Sequence, residues 1–559
     1  MEKWVNFALF TSSMITLFAI LITNTYLFHP TYYNKLEMFG PLSKDPLIIL
    51  IEFVSPFLFM LLVLKARKVS LITTFVPFIL LITVKYINLE LADTNYITSF
   101  YDAPAHFQRG YYVILSGRSN PRVDSYFDLQ PAFFWTTGII FNTVVGMPTS
   151  FIDPSCIAVV KWFHVFAIVV YVPILYLFYK RLLGNNLLVA TALLLQFSLD
   201  FHHIHYSAQS YGIPIYWLIL IMLFSLIKTQ DRRQLIIVLI AGFSLIFLHQ
   251  GLTILTLSAF LASAFYPSIF KIADKKEKLF YVRFLMLPII LSIAWFSYLI
   301  FMTSYTFRNF IITFRRVIEA IVTGREEIIL FGLARADPIW EQIVLYKAVY
   351  MALIVSLGMI FSLINARRSR GKADELAFSI LFFSAAIFGT LGVVLGGVGL
   401  IERLPVITLP ITVYSIVKFL SNLKLSESSK VAKMLIISFL IMLLFSGYAF
   451  YLSGRNFQSV TYGEYYSYAF LGEKSPWNVA GVYPGVRIVS LYGIMKAQLK
   501  NESVSRIPIV NIQRHKTVET YYYICADSSL IERSLENILN ERIIIYSSSD
   551  ALVLLARIK

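Results

Sequence analysis

Charge is scarce in this chain and cysteine is nearly absent. Only 14% of its 559 residues are Asp, Glu, Lys or Arg, against 58% hydrophobic. The two cysteines, Cys156 and Cys525, lie far apart in sequence. That excludes a disulfide framework and matches no metal-ligand spacing. There is no internal repeat, low-complexity tract, Walker A motif or dinucleotide fingerprint, so nothing points to a bound nucleotide. An ordinary soluble globule is also excluded, because its apolar share is nearer ~45–50%; the mean hydropathy here is +0.70.

What is present is a series of apolar runs of about twenty residues, each long enough to cross a ~30 Å hydrocarbon core. Val5–Phe28 is the first; it exceeds a secretory h-region and lacks a small-x-small cleavage signal, so it reads as a retained anchor. The net charge of +16 does not indicate nucleic acid, because much of the excess sits in short loops between apolar runs, the positive-inside pattern. Basic clusters follow alternate runs: Lys65/Arg67/Lys68, Lys180/Arg181, Lys228/Arg232/Arg233, Lys271/Lys275/Lys276/Lys278, Arg367/Arg368/Arg370/Lys372 and Lys424/Lys430/Lys433. All six share one side only if Pro131–Pro148 does not fully cross, being instead a re-entrant or interfacial helix.

The expected fold is therefore an all-α polytopic membrane protein of roughly thirteen crossings, N-terminus inside and C-terminus outside. Residues 1–452 form the membrane domain, with its main outer loop at Leu91–Gln130. Residues 453–559 are polar and tyrosine-rich and read as a small extracytoplasmic α/β domain. Its end, Arg542–Tyr546, a Ser547–Asp550 turn and Ala551–Ala556, has the pattern of a β-hairpin. Asn501-Glu-Ser503 is a glycosylation sequon on the outer side, a triplet frequent by chance. Within Thr303–Tyr346, Phe307, Phe310, Ile311, Phe314, Val317, Ile318 and Ile321 share one helical stripe opposite Arg308, Arg315, Arg316 and Glu319. That describes a helix in the headgroup layer, anchoring the surface or meeting lipid phosphates.

Polar residues concentrate at the outer ends. The loop Asp93-Thr-Asn-Tyr-Ile-Thr-Ser-Phe-Tyr-Asp102-Ala-Pro-Ala-His106 sets two carboxylates and an imidazole just past an apolar run, where acid–base or metal chemistry on a membrane-held substrate is possible. Asp93 as a helix cap and Asp102 as an Asx-turn before Pro104 are the structural alternatives. In Asp200-Phe-His-His-Ile-His-Tyr-Ser-Ala-Gln-Ser210, His202, His203 and His205 suit hydrogen bonds to phosphate or sugar hydroxyls first, a metal second and packing third. Glu52, Lys85, Glu90, Lys161, His164, His249, Gln250 and Arg403 also fall toward outer ends, which suggests an outward-opening polar cavity rather than snorkelling alone. Arg403, whose fork can pair two oxygens, suits a lipid-linked phosphate or else pairs with Glu402 or Glu90.

This layout resembles the GT-C superfamily of integral membrane glycosyltransferases, especially polytopic archaeal and bacterial members. The residues that carry it are Asp93 and Asp102 in a large outer loop, Arg118-Ser-Asn-Pro121 leading to Gln130-Pro-Ala-Phe-Phe134, His205-Tyr-Ser-Ala-Gln209, His249-Gln-Gly-Leu-Thr253 and a soluble tail. Two spans before the loop-bearing helix depart from the simplest GT-C pattern. The resemblance implies an inverting transferase at the plasma membrane that uses a lipid-linked sugar donor, usually polyprenyl phosphate, and a glycan, lipid or protein acceptor. Under it Asp93, Asp102 and His106 form the catalytic group, with Asp93 and Asp102 the candidate ligands of a divalent ion, Mg or Mn. Arg403, Lys85 and Lys161 would hold the donor phosphate, and His202, His203, His205, Gln209, His249 and Glu90 would bind substrate. A lipid-linked oligosaccharide flippase is the competing class, though such transporters bind at the midplane between repeats.

Overall fold

The computed structural model describes residues 96–98, 103, 106, 109–110, 113, 130–140, 154–200, 206–229, 231–270, 284–303, 307–308, 311–312, 315, 319, 338–369, 371–394, 403–422 and the strands of the tail. The anchor Val5–Phe28, residues 141–148, the sequon and the side chains of Glu52, Lys85, Glu90, Asp93, Asp102, His202, His203, His205, Glu402 and Arg403 lie outside the described residues.

Ten helices are described: α1 (Pro131–Ile140), α2 (Pro154–Leu183), α3 (Asn186–Leu199), α4 (Ala208–Thr229), α5 (Arg232–Leu248), α6 (Gln250–Ile269), α7 (Met286–Met302), α8 (Pro338–Ser369), α9 (Lys372–Val394) and α10 (Arg403–Asn422). Five of them contain stretches long and apolar enough to cross a membrane: Val160–Leu183, Ala208–Ile227, Gln250–Ile269, Val349–Arg368 and Lys372–Thr390. Exposed Phe166, Val169, Ile236, Ile240, Ile293 and Phe301 give the bundle an apolar exterior, as lipid contact requires.

Local chemistry sets the helix ends. Asn185 caps α3 by accepting from the Leu187 amide at 2.9 Å, and Gly184, at φ 71°, makes the turn out of α2. Asp231 caps α5 through the Arg233 amide at 3.0 Å. The structure refines one expected crossing. Helix α3 has 14 residues, about 21 Å at 1.5 Å per residue, which is short of a bilayer. It is buried on nearly every side, from Val189 to Phe197, so protein rather than lipid surrounds it and its length need not match the hydrocarbon.

Interhelical contacts fix the relative directions. Arg181 at the end of α2 hydrogen-bonds Ser225 near the end of α4, while Phe163 near the start of α2 stacks on Tyr211 at the start of α4, 5.1 Å between centroids. These two helices run parallel and pack on each other, while α3 packs on α2 and α10. Trp217 donates to the Ile407 carbonyl at 3.1 Å and Phe224 meets Tyr414 at 6.5 Å. Helix α10 therefore runs parallel to α4 as well. Arg368 lies over Phe419 near the far end of α10, 5.7 Å from its centroid. Lys180/Arg181, Arg232/Arg233 and Arg367/Arg368 thus share one end of the bundle, the arrangement their sequence spacing implied.

Helices α8 and α10 approach closely through small residues. Asn365 donates to the Ser415 carbonyl at 2.9 Å, and a Cβ on Gly358 would sit 2.5 Å from Thr412 Oγ1 and 3.0 Å from its Cβ. Gly358→Ala must push the helices apart, at about 1–3 kcal/mol. Gly212→Ala meets the flexible ends of Leu252 and Leu245 and should cost less. Thermal unfolding of the two variants in detergent checks this order.

In the tail the expected hairpin is present. Strands β3 (Val479–Gly481), β4 (Ile509–Asn511), β5 (Thr520–Cys525), β6 (Arg542–Ser547) and β7 (Leu552–Arg557) form a sheet in the order β4-β3-β5-β7-β6, with β6 and β7 antiparallel. β3 is parallel to both β4 and β5, and parallel neighbours need crossover connections. A second, short pairing joins β1 (Tyr96–Thr98) to β2 (Val460–Thr461), Tyr96 opposite Thr461. Paired strands cannot lie across a bilayer from one another, so the tail and the 91–130 loop share a side. Cysteines placed at Arg367 and Asp527, in a background lacking Cys156 and Cys525, are expected to label from opposite faces of sealed vesicles. Labelling of both from one face would overturn this topology.

Candidate functional site

The end of the bundle opposite the basic turns gathers an aromatic and polar cluster from four separate stretches of chain. Ala103, His106, Arg109, Gly110 and Val113 are helical and buried, at the three- and four-residue spacing of one helix face. His106 meets Phe133 of α1 edge-on, centroids 5.5 Å apart, and Phe134 at 6.3 Å. Phe133 in turn touches Tyr206 and Tyr211, each at 5.3 Å, and Phe163 of α2 packs on the same two tyrosines. Edge-to-face and stacked pairs of this kind fix ring positions as well as burying area. His106 of one stretch singled out from sequence and Tyr206 of the other thereby meet the same ring, Phe133.

Around that cluster stand the polar residues. Lys161 and His164, both buried, flank Phe163. Ser207 caps α4, its Oγ accepting from the Ser210 amide at 3.3 Å, and Tyr171 donates to the Ser210 carbonyl at 2.6 Å. Asp200 ends α3 and lies within electrostatic range of the Tyr171 and Tyr350 hydroxyls. Gln209 is buried in the first turn of α4 with no partner for its Nε2, and Gln130, just before α1, has none for its Oε1. A buried amide left unpaired costs about 1–3 kcal/mol, which singles both out as sites for water or ligand atoms.

His249 reaches the same end. Its single residue joins α5 to α6, and Gly212, one residue past Tyr211, lies against Leu245 and Leu252 on either side of that corner. Beside it, Gln250 donates to the Ile246 carbonyl at 3.0 Å and accepts from Trp295. Arg403 opens α10 four residues before Ile407, so its backbone is level with this end too. The described residues thus set His106, Lys161, His164, Gln209 and His249 at one end of the bundle.

Arg109 was missed by the sequence reading. It is among the largest fully buried side chains, 2% exposed, and its Nη1 lies 3.5 Å from His106 Nδ1. The signal was the His106-x-x-Arg109 spacing, legible once residues 103–113 are treated as helix rather than loop. In the 303–346 loop the described residues 307–308, 311–312, 315 and 319 are helical. Ile311 and Ile312 are exposed beside Arg315, which pairs with Glu319 at 2.7 Å. Among the described residues no three of His, Cys, Asp and Glu converge to hold a metal ion.

No protein-family model and no curated protein sequence matches the chain. Among solved structures, the crystal structure of ArnT from Cupriavidus metallidurans in the apo state is similar over 86% of this chain and 97% of its own, at 11% identity and a TM-score of 0.42.

Proposed function

We propose that this chain is a membrane glycosyltransferase of GT-C type that moves a sugar from a lipid-phosphate donor to an acceptor at the outer membrane face. The observation that supports it most is the placement of His106, Lys161, His164, Gln209 and His249 at the same end of the bundle, away from the basic turns. An activated sugar outside the cell arrives on a lipid that stays in the bilayer, so its chemistry belongs at headgroup level.

In this reading Asp93 or Asp102 removes the acceptor hydroxyl's proton, because a hydroxyl is a poor nucleophile until deprotonated. Its oxygen attacks the anomeric carbon, the bond to the phosphate oxygen breaks, and configuration inverts. The departing phosphate is a weak base that needs charge neutralisation more than a proton. Lys161, Lys85 and Arg403 are the side chains proposed for that, an arginine offering two parallel bonds where a lysine offers a point charge. His202, His203, His205, Gln209, His249 and Glu90 are proposed substrate contacts. A divalent ion, Mg or Mn, on Asp93 and Asp102 is part of the same reading, but no step above depends on it.

The test is reconstitution in vesicles with a polyprenyl-phosphate-linked radiolabelled sugar. Release of the lipid phosphate together with label in an acceptor is the expected result. Movement of the intact donor across the bilayer without transfer would replace this reading with the flippase.

A further inference from the structure

The two-stranded sheet joins the tail to the outer loop at one particular place. β1 and β2 pair antiparallel, Tyr96 opposite Thr461 and Thr98 opposite Val460. That register leaves Ile97 without a counterpart, a bulge on the loop strand. Bulges bend a strand, re-aim its side chains and are over-represented beside active sites. β1 also packs on α2, the helix that carries Lys161 and His164. Asp93 is three positions before Tyr96, and Asp102 is four positions after Thr98. At ~3.3–3.6 Å per residue, neither carboxylate's backbone can stray more than roughly 14 Å from the strand. Both proposed bases therefore hang from β1 on short tethers. A strand this short does not hold itself, since even a two-stranded pair is marginal in water without a packing face. Its order depends on α2 and on β2 together, and β2 belongs to the tail.

We infer that the tail strand β2 is a positioning element for the carboxylate loop: its main-chain pairing with β1 fixes where Asp93 and Asp102 stand relative to α2. The membrane helices alone do not complete the site, and Val460 and Thr461 are part of it. The effect belongs to the main chain, so their side chains can change while their N–H groups cannot. Accurate placement matters because a base must stand within a hydrogen bond of the proton it takes, and a 1 Å misplacement can cost ~10²-fold in rate. The part of the carboxylates as bases rests on the transferase reading. The ordering of the loop by β2 does not.

Two full-length variants test it, both in the background lacking Cys156 and Cys525. Tyr96→Cys/Thr461→Cys puts thiols on directly opposed residues, whose Cα atoms in an antiparallel pair lie ~4.5–5.5 Å apart, within disulfide reach. A mild oxidant is expected to close the bridge, and the oxidised protein should transfer sugar as fast as the reduced one. Val460→Pro/Thr461→Pro removes both N–H groups of β2, and proline cannot donate to a ladder. Amide hydrogen exchange should then quicken over residues 93–102 while β5, β6 and β7 stay protected. In the transfer assay kcat should fall roughly 10–10²-fold with co-sedimentation of the labelled donor lipid unchanged, a split that general unfolding would not give. Failure of the cysteine pair to bridge would overturn the inference. So would a bridge that stops transfer until it is reduced, or unchanged exchange over 93–102 in the proline variant. If the wild-type protein transfers no sugar at all, the transferase reading fails, and the bridge and the exchange rates still decide whether β2 orders the loop.

Discussion

Asp93→Asn and Asp102→Asn are expected to lower sugar transfer from a lipid-phosphate donor by roughly 10²–10⁴-fold, the range for a lost general base. Asparagine keeps the shape and part of the hydrogen bonding, so the charge is the main thing removed. Membrane insertion should be unaffected, because deleting a carboxylate charge near the headgroups makes a membrane helix no harder to insert. The residue whose Asn variant falls further is the base, and a milder fall in the other marks acceptor binding. Two well-folded variants with full activity would remove both carboxylates from the chemistry. Donor binding, followed separately by co-sedimentation of the labelled lipid, should persist in both variants, since the phosphate is assigned to cationic side chains.

Phe133→Ala should be the most damaging single truncation at the site. Phe133 is fully buried and meets His106, Phe134, Tyr206 and Tyr211 at 5.1–5.5 Å. Removing a buried Phe ring typically costs about 3–5 kcal/mol, and here the ring is also what ties the 103–113 segment to α4. Loss of thermal stability and of transfer activity are expected together. Phe301→Ala is the control, because that ring is 80% exposed on the apolar exterior and its loss leaves no internal cavity. Phe133→Leu, which refills part of the space, should recover stability before activity. An unchanged unfolding midpoint in Phe133→Ala would mean the aromatic cluster does not hold the site.

Several features of the site were visible in the residues alone. His249 and Gln209 stood out because polar groups at the ends of apolar runs carry a cost that calls for a partner. His106 stood out because it followed two carboxylates. Arg109 did not, since one more cation in a basic protein has no distinguishing pattern until its neighbours are known to be helical and buried. Phe133, Phe163, Tyr206 and Tyr211 were hidden for the opposite reason: aromatic rings are common in any membrane sequence, and nothing in their spacing shows which of them meet.

The sequence by itself determined that this is a multi-pass membrane chain, that the three described basic turns share an end, and that its last strands form a hairpin. Those features follow from local rules: run length against bilayer thickness, charge against translocation, and alternation against the pleat. Tertiary structure alone decided that α3 is a short helix enclosed by protein and that β1 pairs with β2. It also decided that a histidine corner between α5 and α6 stands level with Tyr211. A two- or three-residue strand has no sequence signature, and its partner is chosen by whatever the fold brings within hydrogen-bonding distance. The buried Arg109–His106 contact belongs to the same class, because burial is a property of the surroundings and is not written in either residue.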